Sequence, residues 1–182
     1  MGTNQTNVRR DILMKRVIIF IVKFTAVLTI IAYCVYCNRV VDLTGVFNVD
    51  KNFRNETKFI VIHHDDIFRD CSLLEIEIYH RDTCGYEITG FAYNIYIKDG
   101  KVYIVHNLDT KGAHTKGYNS QTIGVCIHSA DRDKLSTKIL LILTVKFLMI
   151  KYGLSKEFVK GHCDLNDTKC PEINLENLKK WL

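Results

Sequence analysis

Proline is almost missing from this chain: Pro171 stands alone among 182 residues, beside ten glycines. That scarcity excludes collagen-like and low-complexity architectures, which need both residues in bulk. No segment recurs with a period of about 20–50 residues, which removes solenoids and propellers. The bulk of the chain also lacks a charge of one sign. The formal net charge is +5, but before residue 38 Arg9, Arg10, Lys15, Arg16 and Lys23 face Asp11 alone. The rest holds 20 Lys/Arg against 19 Asp/Glu. A nucleic-acid binder concentrates positive charge on its folded surface, so nucleic acid is not an expected partner. Apolar residues are plentiful, at 47% against 25% charged, enough for one core of ordinary size and too many for a disordered chain.

Residues 17–36 form the long apolar run, broken only by Lys23. As a helix rising about 1.5 Å per residue, the run spans roughly 30 Å, the hydrocarbon thickness of a bilayer. Lys23 lies about two turns inside, where its stem can snorkel to the headgroups. Four basic residues precede the run and only Arg39 follows closely. The positive-inside rule then predicts a cytosolic N-terminus (1–16), a signal anchor (17–36) and an exported remainder, a single-pass type II arrangement. A cleaved signal peptide, giving a secreted protein, is the alternative; the length of the run and the lack of an Ala-x-Ala site speak against it. Met1-Gly2-Thr3-Asn4-Gln5-Thr6 fits a myristoylation pattern that a spanning helix makes redundant. Cys34 and Cys37, at the membrane edge, suit palmitoylation or act as apolar filler.

Residues 38–58 are polar and weakly periodic, and are predicted to be a tether carrying a glycosylation sequon at Asn55-Glu56-Thr57. From residue 59 the pattern tightens. Residues 59–62 read as a strand buried on both faces, ending in His63-His64-Asp65-Asp66. Over 71–80 a capping box, Ser72 with Glu75, competes with Glu-Ile-Glu-Ile alternation, leaving helix or strand open. Residues 93–97 and 101–106 flank Lys98-Asp99-Gly100, a hairpin signal. Residues 122–128 read as another buried strand. Residues 134–152 read as a helix closed by Gly153; Lys138, Lys146 and Lys151 make it a core helix rather than a second span. Residues 174–182 read as a short last helix. The interleaving predicts an α/β domain over 59–182, a mixed central β-sheet flanked by helices, with ligands beyond the carboxyl ends of strands.

All seven histidines and five of the seven cysteines fall in the expected exported part. His63 or His64, His80, His106, His114, His128, His162, Cys163 and Cys170 are candidate metal ligands. A mixed imidazole and thiolate set suits zinc, whose catalytic form keeps three protein ligands and one open position. Spacing alone does not choose among them.

Order along the chain does more. His63-His64 after the apolar strand is followed by Gly112-Ala113-His114-Thr115-Lys116-Gly117-Tyr118-Asn119, then Ile123-Gly124-Val125. Gly161-His162-Cys163-Asp164 and Thr168-Lys169-Cys170-Pro171 come last. In this order residues 59–182 resemble the peptidoglycan recognition proteins and the related phage amidases, the type 2 N-acetylmuramoyl-L-alanine amidases. The resemblance implies a zinc ion held by His63, His162 and Cys170, with Tyr93 and Thr168 as catalytic residues. Neighbouring strand residues point to opposite faces, so only one of His63 and His64 ligates, and the family uses the first. The implied reaction is hydrolysis of the amide between the lactyl group of N-acetylmuramic acid and L-alanine in peptidoglycan. Tyr93 and Thr168 would stabilise the developing oxyanion or orient the water. The other reading the family offers is non-catalytic binding of peptidoglycan or muropeptides, as a recognition protein or decoy in innate immunity. Implied substrate contacts are His64, Asn107, His114, Tyr118 and Asn119, with His114 alternatively supporting a ligand from behind.

The departures are also informative. The family's Gly-His-Arg-Asp carries Cys163 in place of arginine, a spare thiol beside a ligand. The pair that sorts stem peptides reads Asn107-Leu108, which leaves diaminopimelate or lysine preference open. The resemblance implies Cys84 as the disulfide partner of Cys71, whereas Cys126 is expected to be a buried thiol. A second sequon, Asn166-Asp167-Thr168, falls inside the implied site and is expected to stay unglycosylated.

Overall fold

The computed structural model describes residues 3–46, 52–67, 69–83 and 91–182, with side chains from residue 13 onward. Gly2 and Cys84, and with them the myristoylation and Cys71–Cys84 expectations, lie outside the described residues; Cys71 itself is buried with a free thiol. Two units separate, Met1–Asn38 and Arg39–Leu182.

The first unit is helix α1 (Thr3–Cys37). Its stretch Leu13–Cys37 contains an 18-residue window with a mean hydropathy of 2.4 and has the length to cross a bilayer. Phe20, Phe24, Ile30 and Tyr33 stand exposed along it, as apolar side chains do on an anchor or a signal sequence.

The second unit is built on a six-stranded mixed sheet in the order β1-β4-β3-β5-β2-β6. The strands are β1 (Val40–Asp42), β2 (Phe59–His64), β3 (Ile95–Lys98), β4 (Lys101–Ile104), β5 (Thr122–Ile127) and β6 (Val159–Gly161). β3 and β4 are antiparallel, joined by a tight turn with Asp99 and Gly100 both at positive φ, the backbone a two-residue hairpin requires. The other pairings are parallel. β5, central and buried at all six positions, reads as a continuous apolar run for that reason.

Helix α3 (Leu135–Tyr152) lies against the sheet and buries Thr137, Leu140, Leu141, Thr144, Val145 and Leu148, a stripe at helical spacing. Lys138, Lys146 and Lys151 point outward, so α3 is the expected core helix, closed by Gly153. At α2 (Leu73–Ile78) the capping box prevails over the alternation: Ser72 and Glu75 cap each other reciprocally, and a π-type turn, Tyr79–Thr83, carries His80 into the core. The last helix is α4 (Leu175–Lys179).

One expectation is corrected. Residues 38–58 are not a free tether, because β1 extends the sheet by pairing in parallel with β4. Phe53 bridges Thr110, and the buried Arg54 guanidinium donates to the carbonyls of Leu108 and Thr110. The physical reason is an otherwise open sheet edge: Val40 and Val41 satisfy it, and Arg54 satisfies two carbonyls of the loop after β4. The folded unit begins at residue 39 rather than 59.

Candidate metal centre

β2, β5 and β3 run in parallel register, with His63 opposite Cys126 and Cys126 opposite Tyr96. Residues in register share a face, so these three side chains emerge together at the carboxyl ends of their strands. β6 pairs with β2 up to Gly161, which places His162 one residue beyond the strand and beside His63. The loop that follows turns back, with the Cys163 N–H donating to the Cys170 carbonyl at 2.8 Å. One donor atom from each of His63, His162 and Cys170 then lies within 4.8 Å of the others.

The donor set fits zinc. Zinc bond lengths of about 2.05 Å to nitrogen and about 2.3 Å to sulfur put two tetrahedral ligand atoms roughly 3.6 Å apart; His63 Nδ1 is 3.7 Å from Cys170 Sγ. Burial, with the neighbouring His114 and His162, holds His63 well below the ordinary imidazole value, and burial lowers His162 as well. Both rings are therefore neutral lone-pair donors at neutral pH. Burial, with Cys163, Asp66 and Glu172 nearby, pushes the Cys170 thiol up to about 11 against the pull of the His64 N–H, which donates to Sγ at 3.3 Å. A cation reverses that balance, since a coordinated thiol loses its proton.

The surroundings redistribute the other expected roles. His114 is buried rather than facing the cleft, with Nδ1 2.9 Å from His63 Nε2. Its ring lies where side chains of residues 112 and 124 would otherwise be: a Cβ on Gly124 would stand 2.8 Å from His114 Cγ, and one on Gly112 would stand 2.8 Å from His114 Cδ2. Asn119, expected at the substrate, uses its Oδ1 to accept the N–H groups of His114 and Thr115 at 3.0 and 2.8 Å. Asn107 uses its Oδ1 to accept the Asp109 N–H and close the 107–110 turn. Tyr118 is exposed on the loop that carries His114. His64 is half-buried with Nδ1 3.2 Å from Ser129 Oγ. Thr168 Oγ1 accepts the Cys170 N–H at 3.2 Å. The Tyr93 ring lies 5.1 Å from that of His63, and its hydroxyl shares a hydrogen bond with the Cys126 thiol; burial pushes both groups well above their ordinary values. Cys126 is buried as expected, and Cys163 is an exposed free thiol.

Several contributors escaped the sequence reading. Asp65 is buried at the end of β2 and accepts from Ile67 N–H, Ser129 N–H, His128 Nδ1 and the Tyr96 hydroxyl. Burial works to raise its carboxyl, but these hydrogen bonds outweigh it and hold Asp65 below the usual carboxylate range. Thr115 and Thr122 contact the two nitrogens of His114, and Asn166 Oδ1 faces His162 Nε2. Asp65 alone had a visible signal, its place in the polar run that ends an apolar strand.

Comparison with known proteins bears on the family and the fold. The family profile described as N-acetylmuramoyl-L-alanine amidase matches residues 53–173. Peptidoglycan-recognition protein LB of Drosophila melanogaster is 24% identical over 135 residues, 66% of this chain and 57% of its own length, so part of that relative has no counterpart here. The endolysin of Klebsiella phage KP32 is 26% identical over 70% of this chain and 87% of its own. Among solved structures, N-acetylmuramoyl-L-alanine amidase LysC from Clostridium intestinale URNW superposes with a TM-score of 0.67 at 23% identity, covering 78% of this chain and 95% of LysC, and has the same fold. The profile match and the mixed sheet together establish that the chain belongs to the N-acetylmuramoyl-L-alanine amidase family.

Proposed function

We propose that this chain is a zinc-dependent N-acetylmuramoyl-L-alanine amidase, anchored in a membrane by residues 13–37, that hydrolyses the lactyl–L-alanine amide of peptidoglycan. The observation that carries the reading is the convergence of His63, His162 and Cys170 within 4.8 Å in a chain of this family. Bound there, zinc supplies a Lewis acid that lowers the pKa of a water and polarises the scissile carbonyl. The protein does the rest. His63 and His162 present neutral imidazoles, and the His64 N–H holds Cys170 Sγ in place. Thr168 accepts from the Cys170 N–H, which leaves its own hydroxyl proton for a substrate oxygen. Tyr93 stays protonated because burial raises it, so it acts as a hydrogen-bond donor and not as a base. Its hydroxyl exchanges Cys126 for the developing oxyanion.

The Tyr93–Cys126 hydrogen bond itself supports a second reading, a recognition protein or decoy that binds muropeptides with that bond intact. The deciding experiment incubates the full chain, in detergent, with a muropeptide and zinc, and separates the products. The enzyme reading expects a free L-alanine amino terminus that disappears with chelator or with Cys170→Ser. Intact muropeptide in the presence of a zinc-loaded protein overturns it, and binding without cleavage selects recognition.

A further inference from the structure

Each candidate imidazole ligand is gripped at Nε2, and the direction of both grips can be traced to the loop between Thr115 and Asn119. Thr122 Oγ1 donates its proton to the Tyr118 carbonyl at 3.0 Å. His114 Nε2 lies 3.4 Å from that same Oγ1, and the His114 ring is hydrogen-bonded to the Thr122 backbone. With the Thr122 hydroxyl proton committed, both Thr122 oxygens are acceptors toward His114, so His114 carries its proton on Nε2 and its Nδ1 is a bare lone pair. The Thr115 hydroxyl at 2.8 Å and His63 Nε2 at 2.9 Å both address that lone pair. His63 therefore donates from Nε2, and its Nδ1, facing Cys170, carries no proton.

An independent chain fixes the other ring. Asn166 Nδ2 donates to the Lys116 carbonyl at 3.3 Å, which orients the amide with Oδ1 toward His162 Nε2, 3.2 Å away. An amide oxygen only accepts, so His162 also carries its proton on Nε2 and leaves Nδ1 bare.

We propose that His114 and Asn166 are positioning residues that lock His63 and His162 as Nε2–H tautomers, through hydrogen-bond chains ending on the carbonyls of Tyr118 and Lys116, so that both Nδ1 lone pairs are set for a metal before it arrives. The proposal rests on the metal centre read above. It gives Asn166 a task at the site that its sequon hides, and it gives Gly112 and Gly124 one as well: they clear the space that the His114 ring fills. Partners that orient a ligating histidine in this way contribute about 10–100-fold in metal affinity.

The test uses the full chain in detergent with ¹⁵N-labelled histidine, first free of metal. Ring ¹⁵N–¹H spectra are expected to show Nε2–H for both His63 and His162. In His114→Leu the His63 signal becomes a tautomer mixture, and in Asn166→Leu the His162 signal does. His114→Asn and Asn166→Asp keep an acceptor in the same place and restore the native pattern, a rescue that a purely space-filling role does not predict. Zinc titration against a competing chelator is expected to show affinity falling about 10–100-fold in the two leucine variants and recovering in the conservative ones. A tautomer mixture or an Nδ1–H signal in the native protein overturns the proposal, as do leucine variants that bind zinc like the native chain. Locked tautomers in a protein that binds no zinc uphold the hydrogen-bond assignment and sink the metal centre instead, so the two failures are distinguishable.

Discussion

His80 shows how a single residue ties this fold to pH. The turn after α2 buries it 5.5 Å from the Tyr93 ring and 5.9 Å from that of Phe91, and burial lowers it to about 4. An unfolded chain binds that proton near the ordinary value of about 6.5. Between the two values the unfolded state holds more protons than the folded one, so stability rises with pH across that window and is lost as pH falls from 6.5 toward 4. The full shift corresponds to about 3 kcal/mol at most. His80→Phe fits between the same rings without a titrating group. Denaturant melts at pH 6.5 and pH 4.5, with chelator present to silence the metal ligands, are expected to show a smaller acid loss in the variant than in the native chain. Equal losses would mean that His80 is already protonated in the folded protein.

Elements, rather than residues, explain why β1 went unread. A strand of three residues shows no period, and what places Val40–Asp42 in the sheet is the open edge of β4, sixty residues later in the chain. Arg54 is the same case: nothing in its neighbours announces burial, because its partners are carbonyls of the loop after β4. Removing it leaves the Leu108 carbonyl to the Tyr152 hydroxyl and the Thr110 carbonyl to Asn94 Nδ2, and loses two hydrogen bonds from a charged donor, at about 1.5–3 kcal/mol each. Arg54→Met is therefore expected to cost at least about 2 kcal/mol in urea melts, and a loss of under about 0.5 kcal/mol would show that water replaces the guanidinium. What the sequence did disclose has the opposite character. β2, β5 and α3 were legible because each carries its own apolar signal, continuous or at helical spacing, and the β3–β4 turn because Asp99-Gly100 suits positive φ. The three candidate ligands were legible only as an ordered set of motifs. Their supports, Thr115, Thr122 and Asn166, act through hydrogen bonds that exist only once β5 and the loops carrying His114 and Asn166 have met.

At the scale of the whole molecule, the two sequons that follow the apolar stretch report on topology. The apolar run 17–36 and the four basic residues before it predict that residues 38–182 cross the membrane. Asn55 is exposed in the segment that joins β1 to β2, open to a glycosyltransferase if that side is a lumen. Asn166 is half-buried and bonded to both His162 and the Lys116 carbonyl, so its amide is not available once the domain has folded. Translation with eukaryotic microsomes is thus expected to add one glycan, removed by endoglycosidase and abolished by Asn55→Gln but not by Asn166→Gln. The glycosylated species should stay with the membranes through alkaline extraction, which a cleaved signal would not allow. An unmodified product that protease digests outside sealed vesicles would place the domain on the cytosolic side, away from any extracellular wall. The amidase reading would then have to find its peptidoglycan inside the cell.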